Sequence, residues 1–308
     1  MIATIVNLLY AWIEGMILAL LPARFLPHKD VRNQVVLITG GGSGIGRLLA
    51  VKLASRGADP VIWDLNEEGM KETSDLVRQA TSGQRTCRSY VVDVADRESV
   101  YEAAARVVRD VGRPIDLLIN NAGIVNGKRL LDLPDDRMVK LMNVNIMAHF
   151  WTVKAVLPSM IARNSGHIVS ISSVAGISGA CNMTDYSAAK FAAVGFMESL
   201  MYELNADGHD GITTTIVAPW FINTGLFAGV DPGIIPFLDP EDVADQVVQA
   251  ILLNRAVLLL PSLLYVLYAL KSVLPVKAMV QLFKALNGHK QMDTFVGREN
   301  AQPVLSSS

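Results

Sequence analysis

Apolar and polar positions divide the chain into three stretches. Across residues 34–260, short apolar runs alternate with amphipathic stretches long enough for helices; the runs fall at 35–38, 61–63, 90–92, 117–119, 167–169, 215–217 and 257–260. Seven such runs separated by helical stretches predict an α/β fold with a doubly wound, seven-stranded parallel sheet. The runs are continuously apolar rather than alternating, as strands covered by helices on both faces are. No internal repeat or long linker interrupts this stretch, so it reads as one domain.

The first 26 residues have a different pattern: 20 of them are apolar. The run over 2–21 is long enough to cross a bilayer as a helix, roughly 20 residues rising 1.5 Å each. No Lys or Arg precedes it, so it does not read as a secretory leader. Asn7, Ala11, Glu14 and Gly15 share one helical stripe. A carboxylate at mid-bilayer is costly, which leaves two arrangements open, a spanning helix and one lying in the interface. A buried core helix is the third reading; the position at the head of the chain, closed by Pro22 and Pro27, favours an anchor. Arg24, His28, Lys29 and Arg32 follow, and place the large domain on the cytoplasmic side. Residues 261–282 are again apolar but broken by Pro261 and Pro275 into pieces too short to span. The last twenty residues are polar and read as a loose tail. The expected divisions are a 1–26 anchor, a 34–260 dinucleotide-type domain and a 261–308 extension.

Composition sharpens this division. The chain of 308 residues is 51% hydrophobic and 18% charged, with a mean hydropathy of +0.34. That is greasy for a soluble enzyme and too polar for a helical membrane bundle. Removing the two terminal apolar segments leaves about 47%, ordinary for a globular domain. The net charge of −2 carries no footprint of nucleic-acid binding. Cys87 and Cys181 have no partner spacing, which indicates neither a disulfide framework nor a metal site.

The candidate chemistry begins where the first strand ends, in Thr39-Gly40-Gly41-Gly42-Ser43-Gly44-Ile45-Gly46. Glycines there allow a tight turn and close approach to a pyrophosphate, and the helix that follows offers N–H donors and its positive dipole end. Asp64, at the end of the second strand, fits the ribose hydroxyls of NAD and would repel the 2′-phosphate of NADP. No Lys or Arg stands at 41–45 or 65–66, so NAD is expected. Asp64 could instead cap the next helix, a task Asn66 could serve equally well. Further on, Tyr186 and Lys190 stand four residues apart on one helical face, and of seven tyrosines only this one has that partner. Ser172 and Ser173 follow the strand at 167–171, with Gly176 and Gly179 in the turn after them.

The glycine-rich TGGGSGIG, Asn120-Asn121-Ala122-Gly123 after the fourth strand, the Ile171-Ser172-Ser173 turn and Tyr186-Ser187-Ala188-Ala189-Lys190 together resemble a short-chain dehydrogenase/reductase over roughly residues 34–260. The resemblance implies a Rossmann fold and NAD(P)-dependent interconversion of an alcohol and its carbonyl. It makes Tyr186 the acid/base on the substrate oxygen. Lys190 would lower the phenol's pKa and hold the nicotinamide ribose, and Ser173 would orient the reacting oxygen. Asn145 matches the residue that holds a water of the proton relay. For the cofactor it implies Gly40, Ser43, Gly44, Ile45 and Gly46 at the pyrophosphate, Asp64 at the ribose, and Asp93 and Val94 at the adenine. Asn120 and Gly123 would line the floor, with Pro219, Ile222 and Thr224 at the nicotinamide amide. Where the family usually has Pro-Gly, this chain has Pro219-Trp220, a departure that bears on Ile222 and Thr224.

Residues 143–160 and 186–203, with the C-terminal region, further resemble the branch that holds 17β-hydroxysteroid dehydrogenases types 11 and 13 and epidermal retinol dehydrogenase 2. That likeness implies association with the endoplasmic reticulum membrane or lipid droplets, and pairing through the helices around Asn145 and Tyr186 into a homodimer. The expected activity is NAD-dependent oxidation of a lipophilic alcohol, all-trans-retinol before a 17β-hydroxysteroid or another lipid alcohol. An NAD-binding lipid-droplet scaffold without important turnover is the reading from another class; the intact Asn-Ser-Tyr-Lys set counts against it. Phe221, Phe227, Ile234, Ile235 and Phe237 fall in the family's substrate loop and suit a lipophilic substrate. Met183, Met197 and Met201 read as core before substrate wall. His149 and His167 read as packing or capping residues, and Tyr265 and Tyr268 as interfacial anchors or buried rings alike.

Overall fold

The structure is a computed structural model that describes residues 25–297, together with Ile5, Val6, Leu8, Leu9, Tyr10, Trp12 and Ile13. Most of the expected anchor, and residues 298–308 of the expected tail, lie outside the described residues. Among the described residues no helix is long and apolar enough to cross a membrane.

Seven strands form where the apolar runs fall: β1 (Val35–Thr39), β2 (Asp59–Asp64), β3 (Arg88–Val91), β4 (Leu117–Asn120), β5 (Gly166–Ile171), β6 (Ile212–Pro219) and β7 (Val257–Leu260). They pair in parallel in the order β3-β2-β1-β4-β5-β6-β7. The chain therefore winds outward twice from β1, and the order reverses between β1 and β4. A parallel sheet opens its ligand crevice at such a reversal, beyond the carboxyl ends of the strands.

Strand residues alternate between faces, and the helices follow that alternation. Val36 and Ile38 of β1 pack with residues of α1 (Gly44–Ala54), α2 (Glu67–Ala80) and, across the layer, α7 (Pro240–Leu252). Val35 and Leu37 turn to the other face, toward α3 (Arg97–Val111), α5 (Ala148–Arg163) and α6 (Thr184–Ala206). Between these, α4 (Asp135–Met142) leads through a π-helical turn (Asn143–Met147) directly into α5. Local signals fix the helix starts: Asn66, Asp96 and Asp239 accept hydrogen bonds from the first-turn N–H groups of α2, α3 and α7.

At the amino-terminal end of the sheet, Lys29 fastens the segment before β1. Its N–H donates to the Leu252 carbonyl at 2.8 Å, and its ammonium contacts His167 Nδ1. His167 Nε2 meets Thr215 Oγ1 at 2.8 Å. His167 is thus a link in a buried polar chain rather than a simple packing residue.

Beyond β7 the chain forms α8 (Leu263–Val273) and α9 (Val276–Ala285), separated at Pro275 as the sequence predicts. The expected loose tail is corrected over its described part. Met292 is buried, and Phe295 packs with the substrate-loop aromatics. The backbone is also held: Asp231 N–H donates to Gln291 O at 3.0 Å and Val296 N–H to Ala228 O at 2.9 Å. Two apolar side chains in a polar stretch suffice to strap this segment across the loop after β6.

Candidate active site

The cleft opens above β1 and β4, where the topology places it. It measures about 470 Å³ and runs from the glycine-rich loop to Ser173, Tyr186 and Lys190. Of the residues implicated from sequence, Gly40, Ser43, Gly44, Ile45, Asp64, Asp93, Val94, Gly123, Ser173, Tyr186, Lys190, Pro219, Ile222 and Thr224 all line it. Ile222 and Thr224 keep their place although Trp220 stands where the usual glycine would be, and Trp220 itself joins the lining.

Three others stand behind the lining. A Cβ on Gly46 would sit 2.2 Å from the Gly40 carbonyl oxygen, so this glycine lets α1 pack under the loop rather than forming its surface. Asn120 is buried and accepts from Thr152 Oγ1 at 2.9 Å. Asn145 is fully buried in the π-helical turn, where its amide spans the Ile124 backbone: Oδ1 accepts from Ile124 N–H and Nδ2 donates to Ile124 O, each at 2.9 Å. The side chain of Asn145 thus fixes the segment after Gly123.

Reading the sequence passed over Asn121. It lines the cleft, and its Nδ2 donates to the carbonyls of Thr39 and Gly40 at 2.9 and 3.1 Å. Thr39 Oγ1 in return accepts from the N–H groups of Asn121 and Ala122. These bonds tie the glycine-rich loop to β4. The available signal was two adjacent asparagines directly after a strand, of which the second holds the loop. Trp63, Lys140 and Leu226 are further lining residues without a local sequence signature.

The loop end of the cleft fits a dinucleotide. Gly40, Ser43, Gly44 and Ile45 face it at the start of α1, whose first turn contains no acidic residue. A pyrophosphate would there meet backbone N–H groups and the positive end of the helix dipole. Asp64 Oδ2 accepts from Gly42 N–H at 2.9 Å and Oδ1 from Asn66 N–H at 3.0 Å, which leaves its carboxylate at the cleft edge. The cap of α2 is Asn66, which accepts from Gly69 N–H at 3.0 Å. Arg47, the nearest cation in sequence, is held by the Gly42 carbonyl and Glu72.

At the other end, α6 presents Tyr186 and Lys190 from consecutive turns. The helix comes very close to the turn after β5, because a Cβ on Gly176 would lie 2.7 Å from the Lys190 carbonyl oxygen. Ser172 Oγ donates to that carbonyl at 3.1 Å. The two adjacent serines therefore divide their tasks: Ser172 fastens α6, and Ser173 faces the cleft.

Burial governs the electrostatics. Burial pushes the Tyr186 phenol well above its usual range, and the Ser173 hydroxyl beside it acts in the opposite sense. Burial also pulls Lys190 down from 10.5 to about 8. The ammonium donates to Ile171 O at 2.8 Å and stands 5.6 Å from the centroid of the Tyr186 ring. His149 lies behind, bonded to Ser170 Oγ at 3.0 Å. Burial, and secondarily the Lys190 charge, hold it at about 3 and therefore neutral. Asp185, next to Tyr186, turns its carboxylate to Asn126 Nδ2 and to the Tyr186 N–H. A buried phenol and an unpaired ammonium at the end of a dinucleotide-sized cleft can exchange a proton with a hydroxyl seated against Ser173.

The sequence model described as short chain dehydrogenase matches residues 34–233. Human epidermal retinol dehydrogenase 2 is 46% identical over 294 residues, covering 94% of this chain and 93% of that protein. Among solved structures, a short-chain dehydrogenase/reductase from Burkholderia phymatum in complex with NAD superposes with a TM-score of 0.71 at 27% identity, covering 79% of this chain and 94% of that one. A metagenomic short-chain oxidoreductase in complex with NADP gives 0.64 at 28% identity, covering 75% and 98%.

Proposed function

Since the chain belongs to the short-chain dehydrogenase family, we propose that it oxidises a membrane-dissolved lipophilic alcohol, in first place all-trans-retinol to retinal, with NAD. The observation that carries this reading is the buried Ser173–Tyr186–Lys190 cluster at the far end of a cleft that begins on the glycine-rich loop.

A bound nicotinamide supplies the hydride acceptor. Ser173 holds the substrate hydroxyl against the Tyr186 phenol. Tyr186, as the phenolate that the neighbouring Lys190 charge stabilises, takes the hydroxyl proton and becomes a neutral phenol as the hydride leaves the substrate carbon. Asn145 keeps the 123–125 segment in position from below and marks the side from which a proton-relay water would approach. Gly40, Ser43, Gly44 and Ile45 would hold the pyrophosphate, with Gly46 behind them. Asp64 would hold the ribose, and Asp93 and Val94 the adenine. Pro219, Ile222 and Thr224 would meet the nicotinamide amide, with Gly123 on the floor of the site and Asn120 supporting it. The preference for NAD rests on the Asp64 carboxylate at the cleft edge and on the commitment of Arg47 to the loop carbonyl and Glu72.

The apolar substrate is supported by the walls near Tyr186, where Phe227 stacks edge-on at 5.9 Å and Phe221 packs against Phe227 at 5.0 Å. It is supported also by the retinol-oxidising relative. A 17β-hydroxysteroid is the second reading, since the same walls suit a fused apolar ring. Residues 1–26 would hold the 34–260 domain at the cytoplasmic face of the endoplasmic reticulum or on lipid droplets, with 261–308 as an extension of the catalytic domain and a homodimer as the assembly. The test is Tyr186→Phe in the purified full chain, assayed for retinol and estradiol turnover with NAD and NADP. Retinol oxidation with NAD should fall by about 10²–10⁴-fold. A variant that keeps most of the activity would remove Tyr186 from the mechanism, and faster parent turnover of estradiol would move the substrate to the steroid.

A further inference from the structure

A second chamber, of about 130 Å³, lies beside the catalytic cleft. Trp220 lines both spaces. Its indole N–H donates to Ile235 O at 3.0 Å, which fixes the ring as a partition between them. On the cleft side are Tyr186 and Phe227; on the other are Leu264 and Leu267 of α8 and Met279 and Leu282 of α9. Val174 and Ala175, which directly follow Ser173, form part of the chamber wall. The roof belongs to the helices after residue 260, outside the stretch matched by the family model.

The chamber offers a ligand little to bond. Its charged residue, Lys271, donates to Ile177 O and lies 4.8 Å above the Phe191 ring. Gln291 Nε2 donates to Pro232 O. The hydroxyls of Ser178 and Tyr268 are the other polar side-chain groups of the lining and the rest is apolar, so the chamber suits an apolar occupant. A dry cavity near 150 Å³ takes a group the size of benzene, so this one seats a single ring or branched segment and a longer chain must pass out over the rim. Tyr268, 47% exposed, stands on that rim.

The outer surface around the rim is itself apolar. Leu263, Val266 and Val273 of α8 and Val276 and Val280 beside them are exposed, Val273 and Val276 by 80% and 78%. No acidic residue occurs between Asp245 and Asp293, whereas Arg255, Lys277, Lys284 and Lys290 are exposed there, apart from the committed Lys271. Short helices with apolar outer residues and unopposed lysines suit an anionic lipid surface, in which the apolar side chains enter the acyl boundary and the ammonium groups meet phosphates.

We propose that this chamber receives the apolar end of the substrate, with Trp220 as the partition that sets how that end reaches Tyr186, and that the substrate enters directly from a lipid surface on which α8 and α9 lie. The proposal rests on the lipophilic-alcohol reading above and adds where the apolar end sits and by which route it arrives.

The test fills the chamber from the roof. Leu267→Trp, Leu282→Trp and Gly179→Leu are each made in the full chain. Gly179 lines the chamber, and a Cβ added there meets nothing within 4 Å. KM for retinol should rise about thirtyfold in at least one variant, the effect of expelling two to three buried methylene groups. kcat/KM for 3-methyl-2-buten-1-ol, which carries the reacting end alone, should stay at the parent value and so report an intact fold. Retinol binding, read by fluorescence in the Tyr186→Phe background, should weaken by the same factor. A second arm places charge outside the chamber with Val273→Glu and Val276→Glu. Turnover of retinol delivered in phosphatidylserine-containing vesicles should fall at least about tenfold, with turnover of detergent-dispersed retinol unchanged. Retinol binding unaltered by every filling variant would overturn the chamber assignment, as would equal losses for both alcohols. Vesicle-delivered turnover untouched by the glutamates would overturn the route. A parent that binds retinol but does not oxidise it would overturn the proposed activity instead, and leaves the binding measurement valid as a test of the chamber.

Discussion

Replacing Lys190 by Met should cut turnover sharply and yet remove a stability cost, because among the described residues no counterion faces the buried charge. Lys190 is 3% exposed, and its pKa falls from 10.5 to about 8 through burial. That difference corresponds to about 3 kcal/mol. The folded value lies below the unfolded one, so the native state is penalised in full below pH 8. The penalty is relieved as pH rises toward 10.5, where the unfolded state still binds the proton and the native state does not. Methionine removes the penalty at every pH. It also breaks the bond from Nζ to Ile171 O, and the stranded carbonyl returns about 1–3 kcal/mol of that gain. At neutral pH the variant should therefore be between equal to the parent and about 2 kcal/mol more stable. Between pH 7 and 9.5 the parent should gain about 2 kcal/mol relative to the variant. Urea unfolding of both proteins at the two pH values measures this, and Lys29, which burial also lowers to about 8, cancels because both proteins carry it. Turnover should fall by about 10²–10⁴-fold. Parallel pH profiles for parent and variant would show that Lys190 is not held at a cost, and the account of the site would fail there.

Asn145→Ala strands both the N–H and the carbonyl of Ile124, which should cost about 2–4 kcal/mol and lower the calorimetric Tm; an unchanged Tm would show that the amide does not hold this segment. Asp64→Ala should lower the ratio of kcat/KM with NAD to that with NADP by at least about tenfold, since the carboxylate that opposes a 2′-phosphate is gone. A constant ratio would assign cofactor choice to other residues. Deleting residues 1–26 should shift most of the protein from the membrane or droplet fraction to the soluble fraction on flotation, and full retention of the truncated chain on membranes would show that α8 and α9 suffice for attachment without the anchor.

The sheet was legible because the inner strands carry continuous apolar runs, as β1 and β4 do, and a strand buried on both faces has little other way to be written; the edge strand β3, Arg-Ser-Tyr-Val with one buried residue, was the weakest signal. The cleft was legible for a related reason: glycine at 40 and 44 and Tyr–Lys at i, i+4 are local patterns whose chemistry depends on spacing. What escaped was made by distant pairs. Asn121 acts through carbonyls more than eighty positions earlier, and Gly46 through a carbonyl six residues back that only the folded loop brings beneath it. His149 and His167 had no spacing to interpret, since their partners Ser170 and Thr215 come from the sheet. The strap at 291–297 read as loose because two anchoring side chains in a polar stretch form no period. Met183 and Met197 are buried, as a core reading expects, although Met183 also borders the second chamber.

The lack of a carboxylate partner for Lys190 is itself informative. Among the described residues no ion pair reaches it, and the nearest candidate in sequence, Asp185, spends both oxygens on Asn126 and the Tyr186 N–H. A paired lysine would be cheaper to bury, but its partner would cancel the field at the phenol. Left unpaired at 5.6 Å from the ring centroid, the ammonium can stabilise a phenolate by about 3 kcal/mol at an effective dielectric constant near 20. The neutral phenol, which burial favours, feels little of this. The interaction therefore acts on the phenolate alone and lowers the cost of the form that takes the substrate's proton. Neutral His149 belongs to the same arrangement: a second cation behind Lys190 would drive the lysine's proton off, and burial prevents that by holding the imidazole at about 3. The dry end of the cleft thus keeps a single mobile charge, and the stability lost in burying it is comparable in size to the stabilisation it offers the phenolate.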